Sequence, residues 1–129
     1  SYFLGSVSGN QFVGGIAGSV DSSSITSCFS GGNVSGLVST GGLTGEVIRS
    51  STIVSSYWNT ETSGQSTSAG GEGRTTDEMT YTYAANTFDG WDFTNTWADD
   101  FSYSINNGYP FLRMQPVVGT ASPTRPVGL

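Results

Sequence analysis

The chain has 129 residues, a formal net charge of −6, no histidine, no lysine and one cysteine. That composition excludes imidazole catalysis, histidine-ligated metal, an intrachain disulfide and a cysteine-cluster zinc site. Its four arginines (Arg49, Arg74, Arg113 and Arg125) are too scattered to form a stripe for a nucleic-acid backbone, and no run approaches the ~20 apolar residues of a membrane span.

Glycine, serine and threonine make up 56 of the 129 residues, yet 12 % of the chain is aromatic, which argues for a folded core over disorder. When Ser1 is laid on Cys28, positions 1–20 fall on 28–47 with eight identities in twenty pairs. Gly5, Val7, Ser8 and Gly9 meet Gly32, Val34, Ser35 and Gly36. Gly14, Gly15, Gly18 and Val20 meet Gly41, Gly42, Gly45 and Val47. Past Val20 the offset lengthens by one: Ile25 meets Ile53, Ser27 meets Ser55 and Phe29 meets Tyr57. Each unit carries three β-type runs, which in the first unit are Val13–Val20, Ser24–Ser30 and Asn33–Val38.

Three strands with tight corners in a unit of this length fit one turn of a β-solenoid, each coil ~4.8 Å above the last. Glycines suit the corners because they accept positive φ, and so much glycine and β-branched residue opposes helix. The expected fold is therefore all-β, a short parallel β-solenoid of about 2.5 coils over residues 1–62. A small antiparallel sandwich of the same strands is the competing architecture. Ser1 aligns with Cys28, so the expectation is a half-coil supplied by a longer array or by another chain.

Val13-Gly14-Gly15-Ile16-Ala17-Gly18 and Thr40-Gly41-Gly42-Leu43-Thr44-Gly45 resemble the GLUG motif of large bacterial surface proteins. Cys28 to Gly36 is similar to the other half of that repeat, and Ser55-Ser56-Tyr57-Trp58-Asn59 to the signature that closes such arrays. Gly73–Met79, Trp91-Asp92-Phe93, Trp97 and Gly108–Leu112 resemble the segment that follows the last repeat. The resemblance spans about residues 1–115. It implies a right-handed parallel β-helix in a secreted or surface-attached, adhesin-like or filament-like protein without conserved catalytic residues.

Residues 63–74 are rich in Gly, Ser and Thr and read as a flexible loop leaving the repeats. Thr75-x-x-Glu78 fits a capping box opening a short helix over about residues 76–85. Residues 75–115 then carry Phe88, Trp91, Phe93, Trp97, Phe101, Tyr103, Tyr109 and Phe111, expected to cap the open end of the stack. Residues 116–129, with three of the four prolines, read as an extended tail laid on a neighbour or mobile.

Candidate chemistry is sparse. Asp89 and Asp92 could serve as a glycosidase acid–base pair, although Asp89-Gly90 reads better as a turn. Asp99, Asp100 and nearby carbonyls offer oxygen ligands for calcium, but no calcium-loop spacing is present, so no cofactor is expected. Thr60/Thr62, Thr80/Thr82 and Thr94/Thr96 fall off the repeat period and make a poor ice-binding array. Asn33-Val34-Ser35 is an N-glycosylation sequon, and Cys28 reads as a small buried residue or an interchain bridge.

The leading expectation is a non-enzymatic extracellular or cell-surface protein. It would serve as an adhesin stalk or as a filament subunit joined head to tail to its own copies or to the rest of a longer protein. The alternative is a carbohydrate-binding module using Tyr57, Trp58, Trp91 and Trp97. Neither nucleic acid nor membrane insertion is expected.

Overall fold

The computed structural model describes residues 1–113, so the tail at 116–129 lies outside the described residues. The described residues are all-β with one short helix. The strands are β1 (Tyr2–Phe3), β2 (Ser6–Ser8), β3 (Gln11–Gly14), β4 (Ala17–Asp21), β5 (Ser24–Thr26), β6 (Phe29–Ser30), β7 (Asn33–Ser35), β8 (Val38–Gly41), β9 (Thr44–Ile48), β10 (Thr52–Val54), β11 (Tyr57–Asn59) and β12 (Glu72–Arg74). Helix α1 (Thr76–Met79), β13 (Trp97–Ala98) and β14 (Phe111–Leu112) follow.

Repeat-equivalent strands pair in parallel. Val7 pairs with Val34, Gly14 with Gly41 and Val20 with Val47, all at the shorter of the two sequence offsets. Ile25 pairs with Ile53 and Phe29 with Tyr57, at the longer one. The added residue lies in the Arg49–Ser51 corner between β9 and β10. The sandwich alternative fails here, because its pairs would be antiparallel and only β13–β14 pairs that way among the described strands. Each expected run is also broken further, so five short strands fill one repeat (β2 to β6, then β7 to β11) where three were expected.

The recurring glycines do not use positive φ, although Gly5, Gly15, Gly32 and Gly42 lie at bends. Left-handed φ is found instead at Phe12 and Ser39, at Ser22 and Ser50, and at Ser27 and Ser55, which are equivalent positions in successive repeats. Gly14, Gly41 and Gly45 are needed for close approach: a Cβ on any of them would collide with backbone of a neighbouring segment. Val13, Val20, Val34 and Leu43 fill the narrow interior, each 5 % exposed or less.

Strands β1, β6, β11 and β12 form a four-stranded parallel sheet whose central strands, β6 and β11, are buried on both faces. Strand alternation sends Ser30 and Trp58 inward, toward Gly15 and Gly42, and sends Phe29 and Tyr57 the other way. Those two rings anchor a second core with Met79, Phe88, Trp91, Trp97 and Tyr109. Phe29 stacks on Tyr2 (centroids 5.1 Å, 6°) and on Tyr109 (5.5 Å, 11°). The aromatic segment therefore braces the flank of three successive layers, with Tyr2, Phe29 and Tyr57 one in each. It was expected at the end of the stack.

The end is covered by the segment expected to leave as a loop. Ser63 O accepts from Val34 N at 2.9 Å, Thr67 O from Gly42 N at 3.2 Å, and Thr44 O accepts from Ala69 N at 3.1 Å. The Ser68 hydroxyl accepts from both Leu43 N and Thr44 N at 3.0 Å. Strand β12 then lies on β11, with Tyr57 paired to Glu72 after a stretch little more than half the length of a repeat. Residues 60–74 thus form a shortened layer across the last full one. Small side chains let it cross the interior, and its hydroxyls and carbonyls meet backbone groups that would otherwise be orphaned.

The capping box of α1 is present: Thr75 Oγ1 accepts from Glu78 N at 3.3 Å, and Glu78 Oε1 from Thr75 N at 2.9 Å. The helix stops at Met79, well short of residue 85, and Thr80 is already extended. The following Thr80-Tyr81-Thr82-Tyr83 run is β-branched and aromatic, which disfavours continuation.

Candidate functional site

The four aromatic residues marked for glycan contact are all buried. Tyr57 and Trp58 are each 4 % exposed, Trp91 7 % and Trp97 2 %. Trp58 packs on Gly42 inside the stack, while the other three belong to the flank core. Trp91 Nε1 donates to Ser55 O at 2.9 Å, and Arg74 lies 5.1 Å over the Tyr57 ring. None offers a face to a sugar. Each meets segments distant in sequence, which spacing alone does not reveal.

The carboxylate candidates are likewise structural. Asp92 Oδ1 accepts from Thr94 N and Asn95 N, both at 2.9 Å, and those amides hold its pKa below the usual carboxylate range. This ties Asp92 into its own turn and leaves it a poor general acid. Asp89 is exposed beside Gly90, whose φ is +79°.

Asp100 is buried at 1 % exposure, and its carboxylate accepts from Ile105, Asn106 and Gly108 amides, the last two at 2.6 and 2.9 Å. Burial alone would raise its pKa, but the Gly108, Asn106 and Ile105 amides outweigh it and the net shift is downward. The Asp100 carboxylate is thus taken up by N–H donors, while Asp99 is exposed. Among the described residues no three His, Cys, Asp or Glu side chains gather, and no pocket opens.

Polar residues that sequence reasoning passed over do the joining. Asn59, fully buried, donates to Thr76 Oγ1 at 2.9 Å and Tyr109 Oη at 2.7 Å, and its Oδ1 accepts from Glu61 N and Thr62 N. It links the last full layer, the helix start and the aromatic segment. Cys28 is half-buried: its Sγ donates to Thr26 O at 3.4 Å, and its amide donates to Ser56 Oγ at 3.2 Å. The three Thr-x-Thr steps make no array, since Thr80 is buried while Thr62 and Thr94 are exposed in other segments.

The rings that do meet solvent lie elsewhere. Phe101 is 71 % exposed, Tyr103 48 %, Tyr81 36 % and the neighbouring Ile105 65 %. Tyr81 stands edge-on to Phe101 with centroids 6.5 Å apart, and the Tyr103 hydroxyl donates to Tyr81 O. Asp100 anchors the loop that presents Phe101, Tyr103 and Ile105. Local sequence carried no signal for this exposure, because the buried Phe88, Trp91 and Trp97 stand beside Asp89, Asp92 and Thr96 much as Phe101 stands beside Asp100 and Ser102.

No family model matches the chain, and no solved structure matches it. It is 36 % identical over 102 residues to Halomucin of Haloquadratum walsbyi, an alignment covering 77 % of this chain and 1 % of that protein. The chain thus spans about 1 % of the length of the curated relative it matches. Among the described residues no helix is long and apolar enough to cross a membrane.

Proposed function

We propose that this chain belongs to an extracellular surface protein and serves there as a non-catalytic, GLUG-like right-handed β-solenoid, an adhesin-like stalk element with its own closing coil. The observation that carries this is the register: repeat-equivalent residues from Val7/Val34 to Phe29/Tyr57 lie side by side in parallel strands. Similarity to part of Halomucin supports a surface location. The stalk is favoured over the head-to-tail filament because residues 63–69 already occupy the edge of the second coil that a following copy would need. Surface proteolysis of intact cells, with light scattering of the purified chain, tests it. Cleavage from outside and a 13.4 kDa monomer are expected. Retention inside the cell, or growth into filaments, overturns it.

The carbohydrate-binding reading moves to Phe101 and Tyr103, whose exposed rings stand on a loop anchored by Asp100, and to Tyr81 beside them. Glycan-array binding that Phe101→Ala abolishes and Trp97→Phe leaves intact would establish it.

A further inference from the structure

We propose that Asn33 carries an N-linked glycan, attached before β7 pairs with its neighbours. The inference rests on the extracellular reading above. Asn33-Val34-Ser35 is the one Asn-x-Ser/Thr sequence in the chain. Along β7 the neighbouring Gly32 and Val34 are buried, whereas Asn33 and Ser35 are both exposed. Alternation along the strand thus turns both sequon side chains to solvent.

The surroundings leave space for a sugar. In register beside Asn33 and Ser35 stand Ser6 and Ser8, both exposed and small. On the other side the chain runs through Gly64, at φ +75°, where a Cβ would sit 3.9 Å from Asn33 Nδ2. A glycan here would project from a face of small polar residues, beside the closing segment at Ser63 and Gly64.

Timing follows from the backbone. Asn33 N donates to Gly5 O at 3.0 Å and Val34 N to Ser63 O at 2.9 Å, while Val34 O accepts from Gln65 Nε2 at 2.8 Å. A strand engaged on both edges cannot enter an enzyme cleft as a free peptide. The acceptor is therefore the chain during export, before residues 60–74 close over β7. The donor is a polyprenyl-phosphate-linked oligosaccharide. Asn33 Nδ2 forms the bond to the anomeric carbon, the sugar–phosphate C–O bond breaks with its electron pair leaving on the lipid phosphate, and one amide proton passes to solvent.

Trypsin cleaves after Arg49, so the peptide that ends there contains Asn33 and peptide mass spectrometry of the protein from its native host reads the site directly. The expected result is a ladder of hexose-sized increments on this peptide, lost in both Asn33→Gln and Ser35→Ala. Increments that survive Asn33→Gln place the sugar on hydroxyls and overturn the proposal. An unmodified peptide from protein recovered outside the cell overturns it while the surface reading stands. An unmodified peptide from protein retained inside overturns both. Equal modification of the already folded chain by host membranes overturns the timing.

Discussion

Gly42 lies directly against the Trp58 indole, so close that a Cβ at residue 42 would fall within the ring's van der Waals surface. One repeat earlier Gly15 stands in the same relation to Ser30. The paired glycines of the repeat thus create room inside a stack whose opposite wall places a small hydroxyl in one layer and an indole in the next. Gly42→Ala should destabilise the fold by about 1–3 kcal/mol, the usual cost of overpacking. At exposed Gly9 the nearest atom to an added Cβ is Val13 Cγ2 at 3.2 Å, the end of a side chain, so Gly9→Ala should stay within about 0.5 kcal/mol. Urea midpoints of the two variants check the contrast.

Phe29, fully buried, ties the repeats to the aromatic segment through its contacts with Tyr2, Phe88, Trp91, Trp97 and Tyr109. Phe29→Ala should cost about 3–5 kcal/mol and abolish most near-ultraviolet circular dichroism, which reports fixed aromatic packing. Phe101→Ala, at a site 71 % exposed, should leave both stability and spectrum nearly unchanged.

Ser68 tests whether residues 60–74 act as a closing layer. Its hydroxyl serves the amides of Leu43 and Thr44, two residues that are fully buried. Ser68→Ala leaves both donors unpaired at a cost of about 1–3 kcal/mol. Hydrogen exchange at those two amides should accelerate more than at Val47 or Val20, which pair within β4–β9.

Acid should act through Asp100. Its folded pKa lies below the ordinary value of about 3.9 for an unfolded aspartate. Its contribution to stability is therefore present above that value and lost as pH falls through the folded pKa. Melting temperature measured from pH 6 downward should fall below about pH 4 in the wild type. In Asp100→Asn it should start lower and fall less steeply over that window.

Alkali should act through Tyr83, whose hydroxyl burial pushes up to about 12, with Asp99 and Asp100 adding to the shift against the Asp100 amide bond that lowers it. Because the folded pKa is raised, this stability is whole below about pH 10 and is lost as pH rises through about 12. Absorbance at the phenolate band should show Tyr83 ionising only together with unfolding, and Tyr83→Phe should flatten the alkaline loss.

The all-β character, the two repeat offsets and the pairing of Val7 with Val34 or Ile25 with Ile53 were legible in the sequence itself. Stacked repeats put equivalent residues in equivalent surroundings, so the same residue types recur at the spacing that brings them together. The capping box was legible for a similar reason, since its partners, Thr75 and Glu78, are close neighbours in the chain. Only the tertiary structure decided what each glycine and each ring is for. Composition does not separate a glycine needed for positive φ from one needed for close approach, and here serines and Phe12 take the left-handed corners while Gly14 and Gly42 admit neighbours. Nor does it separate Trp97, enclosed at 2 % exposure, from the nearby Phe101 at 71 %. Burial of a ring depends on partners such as Tyr2 and Phe29, brought to Trp97 from the far end of the chain by the stacking of the repeats.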